Sequence, residues 1–90
     1  MVKVTSEVFL ARIRDLRKEA GLTQEQVAEL AELTYKHYQS IEAGRRKHLW
    51  LDTVFKLAQA YDLEVWELFY PSPPRLSPEF LKKIERGTKG

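Results

Sequence analysis

Apolar residues recur along this chain at helical rather than strand spacing. Phe9, Ile13, Leu16 and Ala20 follow one another at steps of four, three and four residues, which places them on one face of a helix. Ser6 stands before them as an N-cap, and Gly21 after them as the left-handed residue that ends many helices. Arg12, Arg14, Arg17 and Lys18 fall mostly off that face. Thr23 with Gln26 three residues on forms a capping-box pattern for a second, short helix over about 24–31, burying Val27, Ala28 and Leu30 or Ala31. Thr34 caps a third helix over about 35–43 that stops at Gly44. At ~100° per residue, Tyr38, Ile41 and part of His37 share its inner side, while Tyr35, Lys36, Gln39, Ser40 and Ala43 share the outer one.

Leu51, Val54, Phe55, Ala58 and Tyr61 then read as the buried side of a fourth helix that Asp62 breaks. A short fifth helix spans about 64–69, with Val65 and Leu68 turned inward. Pro71, Pro73 and Pro74 cannot continue it, so the compact unit is expected to cover residues 1–70 and a Pro-rich linker and tail residues 71–90. Within that tail, Ser77-Pro78 opens a short terminal helix with Phe80, Leu81 and Ile84 as its apolar stripe. Strand-like alternation is nearly absent, and the expected fold is all-α, a compact bundle of five short helices plus the C-terminal segment.

Composition narrows the chemistry. The chain has 90 residues, 43% of them hydrophobic, enough for one small core whose stability a dimer would raise. It has no cysteine and only two histidines, His37 and His48, which excludes thiolate or imidazole-rich metal sites and a cysteine nucleophile. No cofactor is implied. No apolar run approaches the ~20 residues needed to span a bilayer, and no export signal precedes Glu7, so a cytoplasmic location without membrane partners is expected. Net charge is only +2, but its distribution is uneven. Between Thr34 and Trp50 stand Lys36, Arg45, Arg46 and Lys47 with Glu42 as the single acid, a local potential that favours a polyanion.

Two short helices joined by a turn of about four residues are the geometry of a helix-turn-helix. The stretch LTQEQVAELAELTYKHYQSIEAGRR, from Leu22 through Arg46, resembles the phage repressor and Cro family, often called the XRE family. The resemblance spans about residues 9–69 and rests on Leu22-Thr23-Gln24, Val27-Ala28, Leu33, Ile41-Glu42 with Gly44, and Leu57-Ala58 before Leu63. It implies a lambda repressor-like fold and binding to double-stranded DNA. Gln24 matches a phosphate-binding glutamine, supported by the positive end of its helix. Tyr35, Lys36 and Ser40 match base-facing positions, with Gln39 on the same side. Arg45, Arg46 and Lys47, with Thr34, fall where the DNA backbone would be held. Arg17 and Glu42 match a structural ion pair between the first and third helices. Departures are Glu32 where glycine is common, one extra residue between Gly44 and Leu57, and His48-Leu49-Trp50 in place of an asparagine-proline-serine stretch.

Plainer readings stand beside these. Tyr38 reads as a core aromatic, His37 as a packed or solvated histidine, and Arg45-Arg46-Lys47 as a solvated loop if DNA is not the partner. The expected function is a sequence-specific DNA-binding transcriptional regulator, acting as a homodimer on a palindromic operator with the helix over 35–43 in the major groove. The rival is a protein-interaction module, such as an antitoxin-like subunit. Trp66, Tyr70 and the Phe80-Leu81-Ile84 tail would then be its anchors, and Trp66 and Tyr70 are also the candidate dimer surface in the leading reading. An enzyme is disfavoured, because no glycine-rich phosphate loop or nucleophile constellation is present.

Overall fold

A computed structural model describes residues 5–45 and 48–87, with side chains to residue 85. Six helices follow in order: α1 (Ser6–Ala20), α2 (Gln24–Leu30), α3 (Tyr35–Glu42), α4 (Leu51–Ala60), α5 (Val65–Phe69) and α6 (Pro78–Gly87). Among the described residues none is in a strand.

The helix boundaries follow from local chemistry. Thr5, not Ser6, caps α1, its Oγ1 accepting the Val8 N–H at 3.2 Å; Ser6 is the first helical residue. A hydroxyl one position earlier does the same work, and the helix starts where its oxygen reaches the third N–H. Thr23 accepts from the Gln26 N–H at 3.1 Å and its own N–H is taken by Gln26 Oε1 at 2.8 Å, a complete capping box.

The C-termini of α1 to α4 share one device. Gly21, Glu32, Gly44 and Asp62 adopt φ values of 71°, 57°, 73° and 55°. The residue after each returns its N–H to a carbonyl five back: Leu22 to Arg17, Leu33 to Ala28, Arg45 to Ser40 and Leu63 to Ala58, at 2.8–3.1 Å. That pattern satisfies carbonyls the helix end would leave bare and turns the chain sharply. Glu32 thus takes the left-handed conformation that glycine fills without a Cβ clash, at some cost in strain.

Phe9, Ile13 and Leu16 of α1, Val27, Ala28 and Ala31 around α2, Tyr38 of α3, Val54, Leu57 and Ala58 of α4, and Leu68 of α5 are all buried in one cluster. Leu30 lies outside it, so Ala31 takes the inward position of the pair. Leu51 and Phe55, expected inside, are 71% and 49% exposed. The buried arc of α4 is centred on Leu57, flanked by Thr53, Val54, Ala58 and Ala60, which turns Leu51 and Phe55 to the other side.

The prolines at 71, 73 and 74 do not end the core. Leu76, Phe80 and Ile84 are buried in the same cluster, and the Phe80 ring meets Tyr61 at 5.9 Å and 60°. Leu81 is turned outward. Arg12, expected off the packed face, is 6% exposed. Its guanidinium donates to the Leu68 and Pro71 carbonyls at 2.9 Å each and to that of Tyr70. It closes the C-terminus of α5 and fixes the direction in which the Pro-rich segment leaves, a site where a cation meets the negative end of a helix.

Candidate nucleic-acid interface

The turn between α2 and α3 runs through residues 31–34, and Thr34 opens α3 by accepting the His37 N–H at 3.1 Å. Since that bond uses only a lone pair, the Thr34 proton remains available to an acceptor outside the helix.

The outer side of α3 carries exposed Tyr35, Lys36 and Gln39. Gln39 Nε2 donates to the Tyr35 hydroxyl at 3.3 Å, one turn apart, so the two side chains lie along one strip. Ser40 is half-buried and donates its hydroxyl to the His37 carbonyl at 2.8 Å. Arg45, just past Gly44, is exposed. Arg46 and Lys47 lie outside the described residues.

The inner side of α3 is held by one carboxylate. Glu42 accepts Arg17 Nε at 2.8 Å and Arg17 Nη2 at 2.9 Å, a bidentate pair from α1. It also accepts the Tyr38 hydroxyl, and Gln24 Nε2 from the start of α2 at 3.1 Å. Arg17 Nη1 goes on to the Leu22 carbonyl at 3.1 Å. Three helices are therefore tied at Glu42. Burial raises the Glu42 pKa, but the donors Arg17, Tyr38 and Gln24 outweigh it and hold the carboxyl below its ordinary value. Burial pushes the Tyr38 phenol up, so it stays protonated as a donor.

The structure thus brings Arg17, Gln24 and Glu42 together, and Tyr35 with Gln39. It sets Trp66 and Tyr70 apart from them on α5 and its C-cap, both exposed, with rings 5.8 Å apart and nearly perpendicular at 79°. A shallow groove beside them is walled by Pro73, Pro74 and Arg75. The link from Gln24 to Glu42 was not read from the sequence, because two residues 18 apart give no periodic signal. The buried Arg12 was missed for the same reason, since its acceptors lie 56–59 residues away. Among the described residues no helix is long and apolar enough to cross a membrane.

A helix-turn-helix family model matches residues 13–65, more than half of the chain, taking in most of α1 and all of α2, α3 and α4. Over 77 residues the chain is 35% identical to a protein of Vibrio cholerae described as the cryptic phage CTXphi transcriptional repressor RstR, an alignment covering 86% of this chain and 68% of that one. No solved structure matches. The matched region begins on the helix that carries Arg17 and encloses the whole α2–turn–α3 unit anchored at Glu42. This chain therefore belongs to the phage-repressor, or XRE, type of helix-turn-helix protein and is a DNA-binding transcriptional regulator rather than an enzyme.

Proposed function

We propose that the protein is a repressor that binds a palindromic operator in the cytoplasm as a homodimer, with α3 lying in the major groove. The observation that carries this reading is the division of α3. Tyr35, Lys36 and Gln39 stand exposed on one side, while Tyr38, Ile41 and Glu42 are buried on the other. A helix fixed in this way presents polar side chains to base edges without having to order itself on binding.

Lys36 donates to guanine O6 or N7, and Gln39 pairs with adenine once it releases Tyr35. Tyr35 meets a thymine methyl or a phosphate, and Ser40 is a further base-facing position. Gln24 keeps one amide proton for a phosphate after giving the other to Glu42, and Thr34 gives its hydroxyl proton. Arg45, Arg46 and Lys47, which follow α3 in the chain, hold the DNA backbone. Repression is supported by the description of the Vibrio cholerae relative as a transcriptional repressor. Two copies double the contact set, with half-sites about one helical turn, ~34 Å, apart. Trp66 and Tyr70 are one candidate face for the second copy, and the face of α4 bearing Leu51 and Phe55 is another.

Fluorescence anisotropy with fragments of DNA from upstream of its own coding sequence, at low and moderate salt and with excess random competitor, tests the proposal. One fragment retained against competitor, with affinity falling steeply with salt, is the expected result. Equal binding to every fragment, or none, would remove the operator reading.

A further inference from the structure

We infer that the second copy docks on the outer face of α4, in an antiparallel two-fold contact built on Trp50, Leu51 and Phe55. The inference rests on the homodimer reading above and names its surface.

Three large apolar side chains stand out of this one turn and a half of chain: Trp50 is 78% exposed, Leu51 71% and Phe55 49%. Leu51 and Phe55 are four residues apart and so stack along one side of the helix. Val54, Leu57 and Ala58 supply the contact with the core, and most of Leu51 and about half of Phe55 is left open. With aromatic side chains presenting ~150–250 Å² each, the three leave roughly 400 Å² of surface open per copy. The smaller specific interfaces bury ~600 Å² per copy, so the polar neighbours Asp52, Lys56 and Gln59 complete a patch of sufficient size.

The charges beside that stripe identify the occupant. Asp52 and Lys56 flank Leu51 and Phe55 and already pair within the helix at 3.4 Å, with the Asp52 side chain 78% exposed. A two-fold axis passing across the helix between Leu51 and Phe55 sets Asp52 of one copy against Lys56 of the other, twice. A patch that must face itself needs such self-complementary order, since like charges across an interface are repelled. The α5 face lacks it. That helix has only five residues, its Glu67 carboxylate is committed to the Glu64 N–H at 2.9 Å, and its cation, Arg75, lies off the helix beyond the prolines.

The position also suits the task. Trp50 ends the connection that starts at the C-terminus of α3, so the patch follows the proposed recognition helix directly in the chain.

Sedimentation velocity over a range of concentrations, on the full chain, tests the assignment. Wild type is expected to dimerise, and the double variant Leu51→Glu, Phe55→Glu to associate at least about a hundredfold more weakly. Its circular dichroism spectrum should match wild type, and its melt should match that of wild type at concentrations where wild type is monomeric. Asp52→Lys alone and Lys56→Asp alone should each weaken association, by roughly fivefold. Their equimolar mixture should recover it as a heterodimer, which only the antiparallel pairing predicts. If wild type dimerises and the α4 double variant still does, while Trp66→Ser, Tyr70→Ser does not, the interface is on α5. The inference is then overturned and the homodimer reading survives. If wild type is a monomer throughout, free and on two-half-site DNA, both fail.

Discussion

Arg17 and Glu42, 25 residues apart in sequence, meet in a bidentate pair at 2.8 and 2.9 Å with the Glu42 side chain 4% exposed. The pair fixes α3 against α1, and through Gln24 it also fixes the start of α2. The exposed strip of α3 therefore has its orientation set from behind.

Breaking the pair leaves a buried carboxylate with only Tyr38 and Gln24 as donors. Arg17→Met should cost about 3 kcal/mol in urea unfolding at neutral pH. A loss below about 1 kcal/mol would show that solvent reaches Glu42 and screens it.

Glu42 also sets an acid limb. Its folded pKa lies below the ordinary 4.5, so its contribution is fully present above that value and is lost as the pH falls through the folded pKa. Wild-type stability should drop over this window more steeply than that of Glu42→Gln, compared by thermal melts from pH 6 downwards. Parallel curves would assign the acid limb to other carboxylates.

Arg12 is a buried cation, and no acid accompanies it among the bonds it makes; its partners are the carbonyls of Leu68, Tyr70 and Pro71. Arg12→Met should destabilise the fold by about 2–3 kcal/mol, since one buried and two part-buried carbonyls lose a charged donor. Amide exchange should quicken first in α5 and α6 rather than in α2 and α3. Uniform acceleration would mean that Arg12 supports the core generally.

Glu32 carries a Cβ where φ is 57°. Glu32→Gly removes a strain of about 1–2 kcal/mol and restores some unfolded-state freedom, about 0.5–1 kcal/mol. The net expectation is a gain near 0.5 kcal/mol in chemical denaturation, with DNA affinity unchanged. A loss of stability would show that the Glu32 side chain has a partner of its own in solution.

These residues also mark what local sequence reveals. The caps at Thr23 and Thr34 and the left-handed stops at Gly21 and Gly44 are legible because each acts within four residues of itself. The inner and outer sides of α3 are legible because its apolar residues occupy one arc. On α4 apolar residues occupy both sides, so periodicity alone could not decide between Val54 with Leu57 and Leu51 with Phe55. Arg12 was misread because a guanidinium can be buried by carbonyls arriving from a distant part of the chain. The packing of Phe80 against Tyr61 was likewise hidden, because prolines stop a helix without preventing the chain from folding back.

Phosphate contact by the basic loop has its own signature. Arg45→Ala and Arg46→Ala should each weaken binding to all duplexes about equally and lower the slope of log affinity against log salt by about one. An unchanged slope would place that side chain away from the DNA backbone.

The central claim is that the exposed strip of α3 reads bases, and selection of bound duplexes from a randomised pool tests it most directly. Wild type should converge on a two-fold symmetric sequence. Lys36→Ala should keep that sequence except for one base pair in each half-site, where preference relaxes by ~1–3 kcal/mol. A wild-type pool with no common sequence, or a Lys36→Ala pool identical to it, would contradict the account.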